Sequence, residues 1–211
     1  MSKSHREKGS RPSRRERSKA DKMRRILAAG EKLFSRQGFD GTTVQQIADE
    51  ADVAVGTLFL YVSDKSELLL RLFHIAIDLE LQQAVARLKK DRKFVPSVKR
   101  FLADLMVPYD KDRELAKVFW REFLFHKGKV RAELDQQTKK ALGALEQKIV
   151  TAQKKGEIDE HIDASVGALH LYGIFHATLA FSLADCLPGT SPDFTLDLLL
   201  QSAWRGMAPR S

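Results

Sequence analysis

Apolar residues recur at helical spacing along most of the chain. Met23, Leu27, Gly30 and Phe34 fall at steps of four, three and four, which predicts an amphipathic helix that Gly38 can end in a left-handed cap. Thr43 and Gln46 form a T-x-x-Q capping box, opening a short helix whose inner face is Val44, Ile47, Ala48 and Ala51. After Asp52 and Val53 the apolar positions restart at Leu58, Phe59 and Val62, so a second short helix follows across a tight turn. Asp64 and Glu67 cap a long helix carrying Leu68, Leu69, Leu72, Phe73, Ile77 and Leu81 to about Leu88. Pro96, Pro108, Gly128, Gly156 and the stretch from Leu187 to Gly189 punctuate the remainder into helices near 97–107, 111–126, 129–155, 162–185 and 193–206. No segment alternates with a period of two. An all-α fold of about nine helices is expected.

The segment from Ala164 to Ala184 has 21 residues and no formal charge, long enough to span the ~30 Å hydrocarbon core of a bilayer. His170, His176, Ser165, Thr178 and Ser182 dilute it, and neither a second span nor an aromatic belt accompanies it. A helix apolar all round in a soluble protein is buried on several sides, so a bundle core plus a subunit interface is expected, with no membrane.

Composition narrows the class. At 211 residues, 43% hydrophobic and 30% charged, the chain can bury a sizeable core in one or two domains. A single cysteine, Cys186, excludes a disulfide framework, and the N-terminus lacks the apolar run of a secretory signal, so an intracellular, cytoplasmic protein is expected. Residues 1–25 hold 11 Lys and Arg against Glu7, Glu16 and Asp21, which accounts for the whole net charge of +8. Residues 1–20 carry Gly9, Pro12 and no apolar anchor, and are expected to be a flexible arm, disordered in isolation. Such an arm is either a solvated tail or a strand of charge laid against a polyanionic backbone.

The segment directly behind this arm has the proportions of a helix-turn-helix. It runs from Thr42 to Val62 and is followed by Lys65, Glu67 and Leu68. Ala48 and Ala51 are small where two helices must cross, and Leu58 and Val62 anchor the second helix, leaving its outer face free for a major groove. The segment resembles the signature of the TetR family of bacterial transcriptional repressors, T-x-x-x-I-A-x-x-A-G-V-S-x-G-T-x-Y-x-Y/H-F-x-x-K-x-x-L. Thr43, Ile47, Ala48, Ala51, Val53, Gly56, Thr57, Tyr61, Lys65 and Leu68 match. The departures are Asp52 for Gly, a substitution that tolerates the left-handed conformation, and Ala54 for a capping Ser or Thr. Phe59 also lacks the usual hydroxyl, and Val62 replaces a usual Phe.

The resemblance implies that Thr43, Thr57, Tyr61 and Lys65 touch phosphates, while Val55, Gly56, Phe59 and Leu60 face base edges or thymine methyls. The second set offers no bidentate partner for guanine or adenine, so methyl contacts, DNA shape and Gln45 are expected to carry specificity. Arg14, Arg15, Arg17 and Lys19 are placed to follow the duplex into the adjacent minor groove.

The resemblance also implies a helical body with an effector cavity and a two-fold interface through its last two helices. Phe101, Leu105, Phe119, Trp120, Phe123, Tyr172 and His176 are the expected pocket residues, solid core being the alternative for each. Ala177, Ala180 and Ala184, at steps of three and four, and Leu198 and Trp204 are the expected dimer face. No cysteine accompanies the histidines, and neither H-E-x-x-H nor a matching carboxylate motif occurs, so no metal or cofactor is expected. A Gly-rich phosphate loop, a nucleophile elbow and paired carboxylates are likewise missing from the sequence, which argues against an enzyme. The expected protein has an arm (1–20), a three-helix helix-turn-helix domain (21–66) and an effector-binding and dimerisation bundle (67–211). It is a homodimer on a palindromic double-stranded DNA operator, released by a small-molecule effector. The runner-up is an architectural DNA-binding protein with no ligand.

Overall fold

The computed structural model describes residues 13–187 and 189–209, and the chain divides into two compact units, Met1–Leu68 and Leu69–Ser211. The described residues form nine helices and no strand.

The first unit is built on α1 (Arg14–Gln37), α2 (Val44–Glu50), α3 (Val55–Leu58) and the first turn of α4 (Lys65–Lys90). Helix α1 begins nine residues earlier than its apolar pattern predicts. Ser13 accepts from the Glu16 amide at 3.2 Å while the Glu16 carboxylate accepts from the Ser13 amide at 2.6 Å, a capping box that starts the helix inside the basic segment. Arg14, Arg15, Arg17 and Lys19 are therefore exposed residues of a helix, not of an extended arm; residues 1–12 of that arm lie outside the described residues. The buried stripe of α1 is also offset from expectation. It consists of Ile26, Ala29, Gly30, Leu33 and Phe34, with Met23 and Leu27 at its half-buried margin. Gly30 is needed there, since a Cβ at this position would lie 2.6 Å from the Leu68 side chain. Phe34 packs on Phe39 at 5.4 Å, and Ile47, Ala48, Ala51, Leu58 and Val62 complete the core.

The second unit continues α4 and adds α5 (Phe94–Asp110), α6 (Arg113–Phe125), α7 (Lys129–Gln153), α8 (Ala164–Leu183) and α9 (Pro192–Met207). Helix α5 starts three residues before the position inferred from Pro96. Proline is tolerated in a first turn, where its missing N–H has no intrahelical partner, and the Phe94 amide is capped at 3.0 Å by Glu157, 63 residues away. Asp112, Asp163 and Ser191 cap α6, α8 and α9 through their side chains. Helices α7, α8 and α9 approach closely around Gly167, where a Cβ would meet Ile149 at 3.0 Å and Met207 at 3.2 Å.

By length and composition α8 could cross a membrane. In the fold, Gly167, Ala168, Leu171, Ile174, Phe175, Thr178, Leu179 and Leu183 are buried in the bundle. The opposite side exposes Val166, Leu169 and Phe181, with Ala177 and Ala180 half-buried and Ala184 exposed. Helix α9 adds exposed Phe194 and Leu198. Trp204 does not join that outer side. It stacks on Phe94 at 5.6 Å, half-buried, because its ring fills the gap between α9 and α5 that Val98, Leu171 and Leu200 also line.

Candidate nucleic-acid interface and ligand cavity

Thr43 caps α2, accepting from the Gln46 amide at 3.2 Å while Gln46 Oε1 accepts from the Thr43 amide at 2.9 Å. The chain then turns through Asp52, whose φ of 52° is left-handed. Arg25 donates to both the Asp52 carbonyl at 3.2 Å and its carboxylate at 3.1 Å, tying that turn to α1. Ala54 begins α3 without a side-chain cap. The second helix is shorter than its apolar spacing implies: one α-turn is followed by bonds from Leu60 to Thr57 at 3.1 Å and from Tyr61 to Leu58 at 2.8 Å, a tightened 3₁₀-like end.

Leu58 and Val62 are buried, as their anchoring role requires, and this turns the remaining side chains outward. Phe59 is 50% exposed and Leu60 80% exposed, Gly56 is open to solvent, and Val55, Thr57 and Tyr61 are half-buried. Thr43 and Gln45 are exposed on α2, with the Gln45 amide held by Asp49 at 2.8 Å. Lys65 is placed differently from a free phosphate clamp. Its ammonium donates to the carbonyls of Phe39 at 2.9 Å and Thr42 at 3.2 Å and lies 4.3 Å from the centre of the Phe39 ring.

In the second unit an aromatic cluster borders a cavity of about 40 Å³. Phe73 stacks on Phe119 at 4.3 Å, Phe119 on Phe123 at 5.7 Å, and Trp120 lies 5.4 Å from the His176 ring. Leu105, Phe119, Trp120, Phe123, Tyr172 and His176 all line the cavity. Phe101 does not: it is fully buried in the packed core of α5. The reading from sequence missed Ile77 and Leu81 of α4, Tyr109, Phe175, and the α7 residues Leu134, Gln137, Thr138 and Ala141. The α7 set recurs at steps of three and four, a signal present in the sequence but masked by Gln137 and Thr138, which read as surface.

The polar groups of the cavity are few. Tyr172 donates to Thr138 at 3.4 Å, and His176 Nδ1 lies 3.1 Å from the Tyr172 carbonyl. Burial holds the His176 ring below the usual imidazole range and pushes the Tyr109 and Tyr172 phenols upward. Gln137 donates to the His74 carbonyl at 2.8 Å. No cluster of three metal-ligating side chains occurs among the described residues.

Residues 26–72 match the family model for bacterial regulatory proteins of the tetR family, a span that contains α2, α3 and the turn between them. In this segment the chain is similar to the tetR family of bacterial regulatory proteins. The chain is 26% identical over 165 residues to the fatty acid metabolism regulator protein of Bacillus subtilis strain 168, covering 76% of its own length and 83% of that protein. It is 30% identical over 118 residues to the transcriptional repressor KstR of Rhodococcus jostii RHA1, covering 55% of itself and 54% of KstR, about half of that relative. Its fold is similar to the crystal structure of Bacillus subtilis FadR in complex with stearoyl-CoA, with a TM-score of 0.68 at 20% identity, over 87% of this chain and 98% of that one. Thermus thermophilus FadR in complex with lauroyl-CoA gives a TM-score of 0.70 at 19% identity, over 90% and 96% of the two chains.

Proposed function

We propose that this chain is a transcriptional repressor, not an enzyme, that acts in the cytoplasm as a homodimer on a palindromic operator and is released by an acyl-CoA. The observation that carries the reading is the pairing of two features in one chain. One unit turns the apolar residues Phe59 and Leu60 outward from a helix-turn-helix, and a second unit encloses an aromatic cavity. Val55, Gly56, Phe59, Leu60 and Gln45 are the proposed base-reading set, and Thr43, Thr57 and Tyr61 the proposed phosphate contacts. Arg14, Arg15, Arg17 and Lys19 add exposed positive charge along one end of α1.

The ligand class comes from the relatives whose structures hold stearoyl-CoA and lauroyl-CoA, and the mostly apolar lining of this cavity suits an acyl chain. At about 40 Å³ the cavity has room for little more than one water, so an acyl chain enters only if the surrounding helices part. That requirement supplies a differential affinity: the ligand favours an opened body, and DNA favours the state whose two recognition helices stand about 34 to 36 Å apart. By reciprocity each weakens the other, with a coupling of about 1–3 kcal/mol. Helix α4 supplies residues to both units, Leu68 to the core of the first and Ile77 and Leu81 to the cavity of the second, which makes it the element through which the coupling is proposed to run.

Duplexes selected by the full-length protein from a random library test this reading. The expected result is one enriched palindrome, with binding at 150 mM salt that dodecanoyl-CoA weakens about fivefold or more. Uniform binding to every duplex, unaffected by any acyl-CoA, would favour a ligand-free architectural protein.

A further inference from the structure

Among the described residues, three buried polar side-chain atoms have no hydrogen-bond partner, Gln137 Oε1, Arg25 Nε and Thr178 Oγ1, and of these Gln137 Oε1 belongs to a residue that lines the cavity. Gln137 is 6% exposed, and its amide nitrogen donates to the His74 backbone carbonyl at 2.8 Å. That bond fixes which end of the amide is oxygen, since a flipped side chain would set oxygen against oxygen. A residue of the cavity wall therefore keeps a buried acceptor with no donor. Leaving such an acceptor dry weakens the state that contains it by about fivefold to a hundredfold, so whatever enters must satisfy it or bear that loss.

A second wall residue offers the same kind of group. A carbonyl can only accept, so the 3.1 Å contact between His176 Nδ1 and the Tyr172 carbonyl puts the ring proton on Nδ1. In the neutral ring, which burial favours, Nε2 is then an acceptor. Tyr172 and Thr138 satisfy one another at 3.4 Å, and as rotating hydroxyls they adapt to either polarity. Apart from the Tyr109 hydroxyl and the Trp120 indole N–H, the remaining wall, including Ile77, Leu81, Leu105, Phe119 and Phe175, is apolar. A saturated acyl chain would satisfy neither fixed acceptor.

We propose that the preferred ligand is a hydroxylated acyl chain whose hydroxyl donates to Gln137 Oε1. The proposal rests on the acyl-CoA reading above and narrows it. The chain supplies the affinity through apolar burial, and the hydroxyl sets its register along the cavity, because a site built to pair a hydroxyl discriminates against the analogue that lacks it.

A series of dodecanoyl-CoA molecules carrying one hydroxyl at successive chain positions tests this, with plain dodecanoyl-CoA and the matching keto compounds as references. Binding to the unaltered full-length protein is measured by calorimetry, and again for Gln137→Met, which keeps length and removes the acceptor. The expected result is one hydroxyl position that binds at least tenfold more tightly than the plain chain, a keto analogue that gains nothing, and loss of the preference in Gln137→Met. Equal binding of plain and hydroxylated chains would overturn the proposal and leave the acyl-CoA reading standing; a resident water on Gln137 would produce that outcome. A preference that survives Gln137→Met would overturn the assignment to this residue. Failure of every member to bind would overturn the acyl-CoA reading and this inference with it. The series on the unaltered protein decides the ligand class even if the variant does not fold.

Discussion

Lys65 and His176 show how a side chain's surroundings settle what its type leaves open. The family signature makes Lys65 a phosphate ligand, yet two of its three donors serve the Phe39 and Thr42 carbonyls and its charge lies over the Phe39 ring. Lys65→Met is expected to lower the stability of the first unit by about 1–3 kcal/mol in thermal unfolding. It should leave the slope of operator affinity against salt unchanged, whereas a true phosphate contact would reduce that slope by about 0.9 per lysine. Neither carbonyl is near Lys65 in sequence, so this clamp was not legible there; the left-handed Asp52 was, because that tolerance is a property of the residue itself. For His176 the sign follows from burial. Its native pKa lies below the ordinary 6.5, so the unfolded chain takes up a proton first as the pH falls. The contribution is complete above about pH 7 and is lost on acidification toward the lowered native value. Stability measured from pH 7.5 to pH 5.5 should fall more steeply for the unaltered protein than for His176→Phe, and equal slopes would remove His176 as the cause.

The existence of the helices was legible from periodicity, while several of their ends were not, and the reasons are specific. Helix α1 starts early because Ser13 and Glu16 form a capping box within a stretch whose charge suggested disorder. Helix α5 starts early because Glu157 caps it from a distance that no local pattern reports. The second helix of the DNA-reading pair is a single α-turn because Leu60 and Tyr61 bond three residues back instead of four. The same kind of remote cap holds the far end of α4, where Lys148 of α7 donates to the Leu88 carbonyl at 3.0 Å and the Asp91 carbonyl at 2.6 Å. Those carbonyls end the helix and have no partner within it, so the ammonium both satisfies them and opposes the negative end of the helix dipole. Lys148→Met is expected to cost about 1–3 kcal/mol in denaturant unfolding, while Lys154→Met, at the exposed C-cap position of α7, should change stability by less than about 0.5 kcal/mol. Equal losses for the two lysines would deny Lys148 its capping role.

For the molecule as a whole, the outer side of α8 and α9 decides whether one chain or two constitute the working protein. Val166, Leu169 and Phe181 lie on the solvent side of α8, and Phe194 and Leu198 on that of α9; Leu169 is 61% exposed and Leu198 57% exposed. In the proposed homodimer these exposed apolar residues are the expected interface, and a two-fold axis through them would bring the same two helices of a second copy into a four-helix contact. Ala177, Ala180 and Ala184, expected from the sequence on this face, lie among its larger apolar neighbours, whereas the half-buried ring of Trp204 stacks on Phe94. A palindromic operator needs both recognition helices at once, so losing the dimer removes half of the base contacts and with them most of the specific affinity. The double substitution Leu169→Glu with Leu198→Glu buries no new charge in the monomer, because both side chains are solvent-facing there, but opposes like charges across the two-fold contact. Sedimentation at micromolar concentration should show a dimer for the unaltered chain and a monomer for the variant. The variant should keep its helical circular dichroism and lose at least a hundredfold in operator affinity. A variant that remains dimeric would move the interface elsewhere, and a monomeric variant with full operator affinity would break the link between two-fold symmetry and DNA reading.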